Sequence, residues 1–135
     1  MGLHHIIYVS RPFGYSTSDL LGILMLARAN NLRDGITGAL VCREDLYLQF
    51  LEGEEAVVGR CFRRIRKDDR HVEVTELVNE PATERLFPQW AMRHDPEQSW
   101  VWTRDEVAAG VPATVPRDDV LAMFRTLAAA PSASD

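Results

Sequence analysis

Residues 46–53, LYLQFLEG, decide how this chain folds. Leu46, Leu48 and Phe50 alternate with Tyr47, Gln49 and Leu51 in the period-2 pattern of a strand, and Glu52 and Gly53 lead into a helical pattern. Gln49 is the misfit. Its amide has both donors and an acceptor, and each one left without a partner inside a packed sheet costs about 1–3 kcal/mol. Gln49 therefore either faces water or meets something polar in the interior.

On the N-terminal side, Arg43, Glu44 and Asp45 form a polar break after a second strand-like run, Ile36 to Cys42, so the two runs are expected to pair as an antiparallel hairpin. On the C-terminal side, Val57, Val58, Cys61, Phe62 and Ile65 make an apolar stripe on a helix from Glu54 to about Lys67. Glu54 and Glu55 stand at the positive end of its dipole, and Arg63, Arg64, Arg66 and Lys67 near the negative end. That basic run reads as a solvated helix face rather than a nucleic-acid patch.

Further out, Leu3 to Ser10, LHHIIYVS, reads as a first strand with Ile6, Tyr8 and Ser10 on one face and His5, Ile7 and Val9 on the other. Pro12 and Gly14 end it. Ser16 and Asp19 resemble a capping box for a helix carrying Leu20, Ile23, Leu24 and Ala27, expected to stop near Ala29 or Asn30, with Asn30, Asn31, Asp34 and Gly35 as stop and turn residues. His71 to Val78 is another strand, and after a loop containing Pro81 and Pro88 a short last strand is expected near Trp90 to His94. The order β-α-β-β-α-β-β predicts an α+β, ferredoxin-like sandwich of the split β-α-β type, a mixed sheet with two helices on one face. The other face would be bare. Its candidate cover is C-terminal: Thr103 and Glu106 can cap a short helix through Val107 and Ala108, and a longer helix starting near Pro116 carries Val120, Met123, Phe124 and Leu127.

A chain of 135 residues with 46% hydrophobic residues suits a single core, and a net charge of −5 gives no broad basic field for nucleic acid. Cys42 and Cys61 match no zinc spacing and read as buried free thiols of a reducing compartment. His4, His5 and His94 have neither the spacing nor a carboxylate partner for a metal. Without a leader pattern or a long apolar run, a soluble cytoplasmic protein is expected.

Taken singly, Tyr8 reads as a core aromatic and Asn31 as a helix-end residue. Together with Gln49 they say more. If Tyr8 and Gln49 lie on the helix-facing side of neighbouring strands and Asn31 ends the first helix, three hydrogen-bonding side chains converge between the helices, with Ile23 and Ile65 as walls. Such a slot suits a flat heteroaromatic with carbonyl and imino edges.

The segments IIYVS with Tyr8, NNLRDGITGAL with Asn31, YLQFLEG with Gln49, RKDDRH with Arg70 and His71, and ERLFPQWAM with Trp90 and Met92 carry a family resemblance. From about Leu3 to Asp95 the chain resembles the BLUF domains, blue-light sensors using FAD. The resemblance implies a flavin-binding domain over residues 1–95 and a C-terminal helical extension over 96–135. It implies that Asn31 and Arg70 hydrogen-bond the ring edges and that Gln49 lies between Tyr8 and the flavin. Asp68 and His71 then match positions near the ring and ribityl chain, while Ile23, Asn30, Leu40 and Ile65 line the ring. FAD is the implied cofactor, with FMN or riboflavin able to substitute.

The mechanism implied is electron transfer coupled to proton transfer from Tyr8, then rearrangement of the Gln49 amide, with altered bonds passed to the last strand at Trp90 and Met92. That is a reversible switch rather than enzymatic turnover. Its implied partners are the flavin, an unidentified downstream protein and, as a candidate, a second copy of the chain; nucleic acid and membrane are not expected. Two alternatives without flavin are a ferredoxin-like interaction module and a small hydrolase binding an anion near Asn31 and Arg33.

Overall fold

The computed structural model describes residues 2–12, 17–42, 46–67, 71–88, 93–95 and 103–129. Strand β1 (Leu3–Pro12) pairs antiparallel with both β3 (Tyr47–Glu54) and β4 (His71–Pro81). β3 pairs antiparallel with β2 (Thr37–Cys42), and β5 (Arg93–Asp95) runs parallel to β2. Among the described residues the sheet order is thus β4-β1-β3-β2-β5. Helix α1 (Thr17–Asp34) connects the parallel strands β1 and β2, β3 inserts between them, and α2 (Glu55–Arg66) follows β3. This is the expected split β-α-β, ferredoxin-like arrangement.

The alternation read from the sequence sorts the side chains onto two covered faces. On one, Ile6, Tyr8, Leu40, Tyr47 and Leu51 pack with Ile36 and with Val58, Cys61 and Phe62 of α2. On the other, Ile7, Val9, Ala39, Val41, Leu48 and Phe50 pack beneath the C-terminal helices α3 (Arg104–Ala108) and α4 (Arg117–Ala129). The face expected to be bare is therefore covered, by Val107, Val120, Phe124 and Leu127 as anticipated and also by Leu121. Met123 is only partly buried. Thr103 and Glu106 form the full capping box of α3, and a 3-10 turn, Val111–Thr114, links it to α4.

Strand β1 runs two residues past Ser10 to Pro12, and two boundaries differ by more than that. The first helix does not stop at Ala29 or Asn30 but runs one turn further, to Asp34. Asparagine tolerates a helix end, but Gly35 supplies the left-handed conformation (φ 71°) that ends this one, and the Ile36 N–H donates back to the Asn31 carbonyl at 2.9 Å. Ser16, half of the expected cap, lies outside the described residues. The fourth strand continues past Val78 to Pro81, which is tolerated because β4 lies at the sheet edge. Within the β2–β3 hairpin, a Cβ on Gly38 would collide with the Phe50 carbonyl, so strand approach there requires glycine.

Candidate functional site

The antiparallel register sets Tyr8 directly opposite Gln49, Gln49 opposite Leu40, and Leu40 beside His94, so one row crosses β1, β3, β2 and β5. Tyr8 is wholly buried and Gln49 is 5% exposed. The Tyr8 hydroxyl donates to Gln49 Oε1. The misfit amide therefore meets its polar partner inside, and with Oε1 turned to the phenol its Nε2 hydrogens point away from Tyr8. The Tyr8 ring lies 5.4 Å from the Phe62 ring, which fixes it under α2.

Asn31 sits in the last turn of α1 rather than after it, and is 2% exposed. Its backbone joins it to Ile36, a member of the cluster that contains Tyr8 and Leu40. Ile65 packs against the same cluster from α2, and Asn30 is half-buried. Ile23 lies within α1. His71 opens β4 opposite Pro12. Asp68, Arg70, Trp90 and Met92 lie outside the described residues. The described part thus unites Tyr8, Gln49, Leu40 and Ile65, with Asn31 buried at the adjoining helix end.

Two polar clusters escaped sequence reasoning. Glu52, read there as a lead into the helix, is 1% exposed and accepts from Thr37 Oγ1 and from the backbone N–H groups of Leu86 and Phe87, each at 2.7 Å. A carboxylate inside a strand-like run was the available signal. His5, expected to have no carboxylate partner, stands 3.3 Å from Glu80, which Arg117 of α4 grips through two nitrogens at 2.5 Å. The Arg117 guanidinium pulls the Glu80 carboxyl down to about 2, and burial pushes the His5 imidazole below its ordinary range against the opposing pull of Glu80. Cys61 is a buried free thiol whose pKa burial raises. Arg33, named for a possible anion site, is exposed and pairs with Asp34 at 2.9 Å.

The chemistry of these side chains fits a flavin. Buried amides offer both donors and acceptors, the match for a ring edge that alternates carbonyl and imino groups, and aliphatic Leu40 and Ile65 supply apolar contact. The fold and the site together define a small α+β domain of split β-α-β type with a buried tyrosine–glutamine pair on the α2 side of its sheet. The family model for sensors of blue light using FAD, the BLUF domain, matches residues 3–93, and the chain belongs to that family. It is a flavin-binding blue-light sensor domain.

The photoactivated adenylate cyclase subunit beta of Euglena gracilis is 35% identical over 97 residues, which cover 71% of this chain and 11% of that protein. The chain therefore spans about a tenth of the length of that relative. Among solved structures, the dark state of the BLUF protein BlrB superposes with a TM-score of 0.80 at 32% identity, covering 95% of this chain and 96% of that one. The photo-activated state of BlsA superposes with a TM-score of 0.82 at 25% identity, covering 98% and 99%. Among the described residues no helix is long and apolar enough to cross a membrane.

Proposed function

We propose that Tyr8 and Gln49 are the photoactive pair of this sensor. The observation that carries the reading is the buried hydrogen bond from the Tyr8 hydroxyl to Gln49 Oε1. When bound, the flavin supplies a photoexcited acceptor for one electron. Tyr8 gives up that electron, and its phenolic proton moves along the existing hydrogen bond to Gln49 Oε1. Return of both leaves Tyr8 a neutral phenol and the Gln49 amide rotated or tautomerised, so that it presents different donors than before. A small free-energy difference between two hydrogen-bond patterns is then what biases the rest of the protein.

Asn31 and Arg70 hold the ring edges in this reading, and Ile23, Asn30, Leu40, Ile65, Asp68, His71 and Met92 contact the ring or its side chain. Trp90 and Met92 receive the altered bonds. Residues 1–95 form the flavin-binding unit and residues 96–135 the C-terminal extension, whose α3 and α4 pack on the opposite sheet face. Output passes by contact to a downstream protein or to a second copy of the chain. FAD is the working cofactor, and FMN or riboflavin substitutes.

The test is an absorption spectrum before and after blue light. A yellow protein with a small, reversible red shift is expected. A colourless protein that takes up no added flavin, or a yellow one whose spectrum does not move, overturns the reading.

A further inference from the structure

We infer that Glu52 is a positioning residue that couples the strand carrying Gln49 to the C-terminal helix α4. The inference rests on the light-switch reading of Tyr8 and Gln49. Glu52 stands three residues beyond Gln49 on β3, so its side chain turns to the opposite face of the sheet, where α4 lies. There its carboxylate accepts from Thr37 Oγ1 on β2 and from two consecutive backbone N–H groups, those of Leu86 and Phe87.

Arg85 adds a second layer. It donates to Thr37 Oγ1 at 2.8 Å, to the Gly35 carbonyl at 2.8 Å and to the Glu52 carbonyl at 3.4 Å. Residues 85–87 are thereby fastened at once to β3, to β2 and to the end of α1, whose last turn carries Asn31. Phe87 is wholly buried and packs edge-on against both Phe50 and Phe124, at 5.4 and 6.3 Å between ring centres. A displacement of β3 at Gln49 thus reaches Phe87 through hydrogen bonds and α4 through ring contacts. Only an acceptor at both oxygens serves this junction, because an amide would turn donor hydrogens toward one of its three donors.

The experiment uses the full chain with FAD bound and compares wild type with Glu52→Gln and Arg85→Met. It reads the red shift, the dark-recovery rate, thermal stability, and the light-minus-dark difference in amide exchange over residues 117–129. Both variants are expected to keep the red shift, to lose the light-dependent exchange difference in α4, and to change dark recovery by about fivefold or more. If Glu52 is merely structural, stability falls while the exchange difference and the recovery rate stay as in wild type, and the inference is overturned. It is equally overturned if α4 exchange in wild type ignores light. Should Glu52→Gln fail to fold, Arg85→Met, which leaves the carboxylate in place, decides the matter alone. Absence of any red shift in wild type overturns the switch reading itself, a different result from an unaltered coupling.

Discussion

Tyr8 and Gln49 face each other across the β1–β3 ladder, and the buried Tyr8 hydroxyl donates a hydrogen bond to the buried Gln49 Oε1. Tyr8→Phe keeps the ring against Phe62 and removes only the donor, so flavin binding should persist while the light-induced red shift disappears. Loss of the buried Tyr8–Gln49 hydrogen bond should lower stability by about 1 kcal/mol. Gln49→Leu should abolish the shift as well. Spectra under blue light and urea denaturation check both effects; an unchanged photocycle in the two variants would end the proposed mechanism.

Glycine does different work at two nearby positions. At Gly35 a Cβ meets open space but the backbone is left-handed (φ 71°), so Gly35→Ala should cost about 1–2 kcal/mol from conformation alone. At Gly38 the Cβ would run into the Phe50 carbonyl, so Gly38→Ala must force β2 away from β3. The expected ordering is a folded but weakened Gly35→Ala and a Gly38→Ala that is far less stable or does not fold, read by circular dichroism and urea midpoints.

Period-2 alternation made it legible that Tyr8 and Gln49 each belong to one face of a strand, while their nearness came from the family resemblance and their register only from the structure. The stripe on α4 marked it as a candidate cover for the second face, but a stripe shows only that a helix must dock, not where. The end of α1 was misjudged by one turn because asparagine and glycine both mark helix ends, and only the conformation at Gly35 distinguishes them. Glu52 and the His5–Glu80–Arg117 group were invisible for another reason: their partners lie far along the chain, and local pattern contains no information about which distant N–H or guanidinium arrives.

The His5–Glu80–Arg117 group fixes two pH windows. Glu80 titrates near 2 when folded against an ordinary 4.5, so its contribution is complete above 4.5 and is lost as pH falls from there toward 2. Arg117→Met should flatten the acid slope in that window, by an amount limited because the Arg117 side chain is 53% exposed and solvent screens the pair. His5, with its pKa held below 6.5 by burial, contributes stability that is full above 6.5 and declines as pH falls through its folded value. His5→Gln should flatten the slope just below 6.5 and narrow the lower window less than Arg117→Met does, because Arg117 is the larger pull on Glu80. Urea midpoints across the acid range separate the two; identical slopes in wild type and both variants would refute the assignment.

The C-terminal helix is part of the core, and Phe124 is the test of that. It is wholly buried, with the Phe50 ring 5.2 Å away and the Phe87 ring edge-on beyond it, so three rings from β3, the loop after β4, and α4 fill one space. Phe124→Ala leaves a cavity that neither neighbouring strand nor helix can close, and should cost about 3–5 kcal/mol. Arg125→Ala, one residue along on the exposed side, should change stability by no more than about 0.5 kcal/mol. If α4 instead docks loosely, Phe124→Ala will cost less than about 1 kcal/mol, and unfolding will separate into two transitions rather than one.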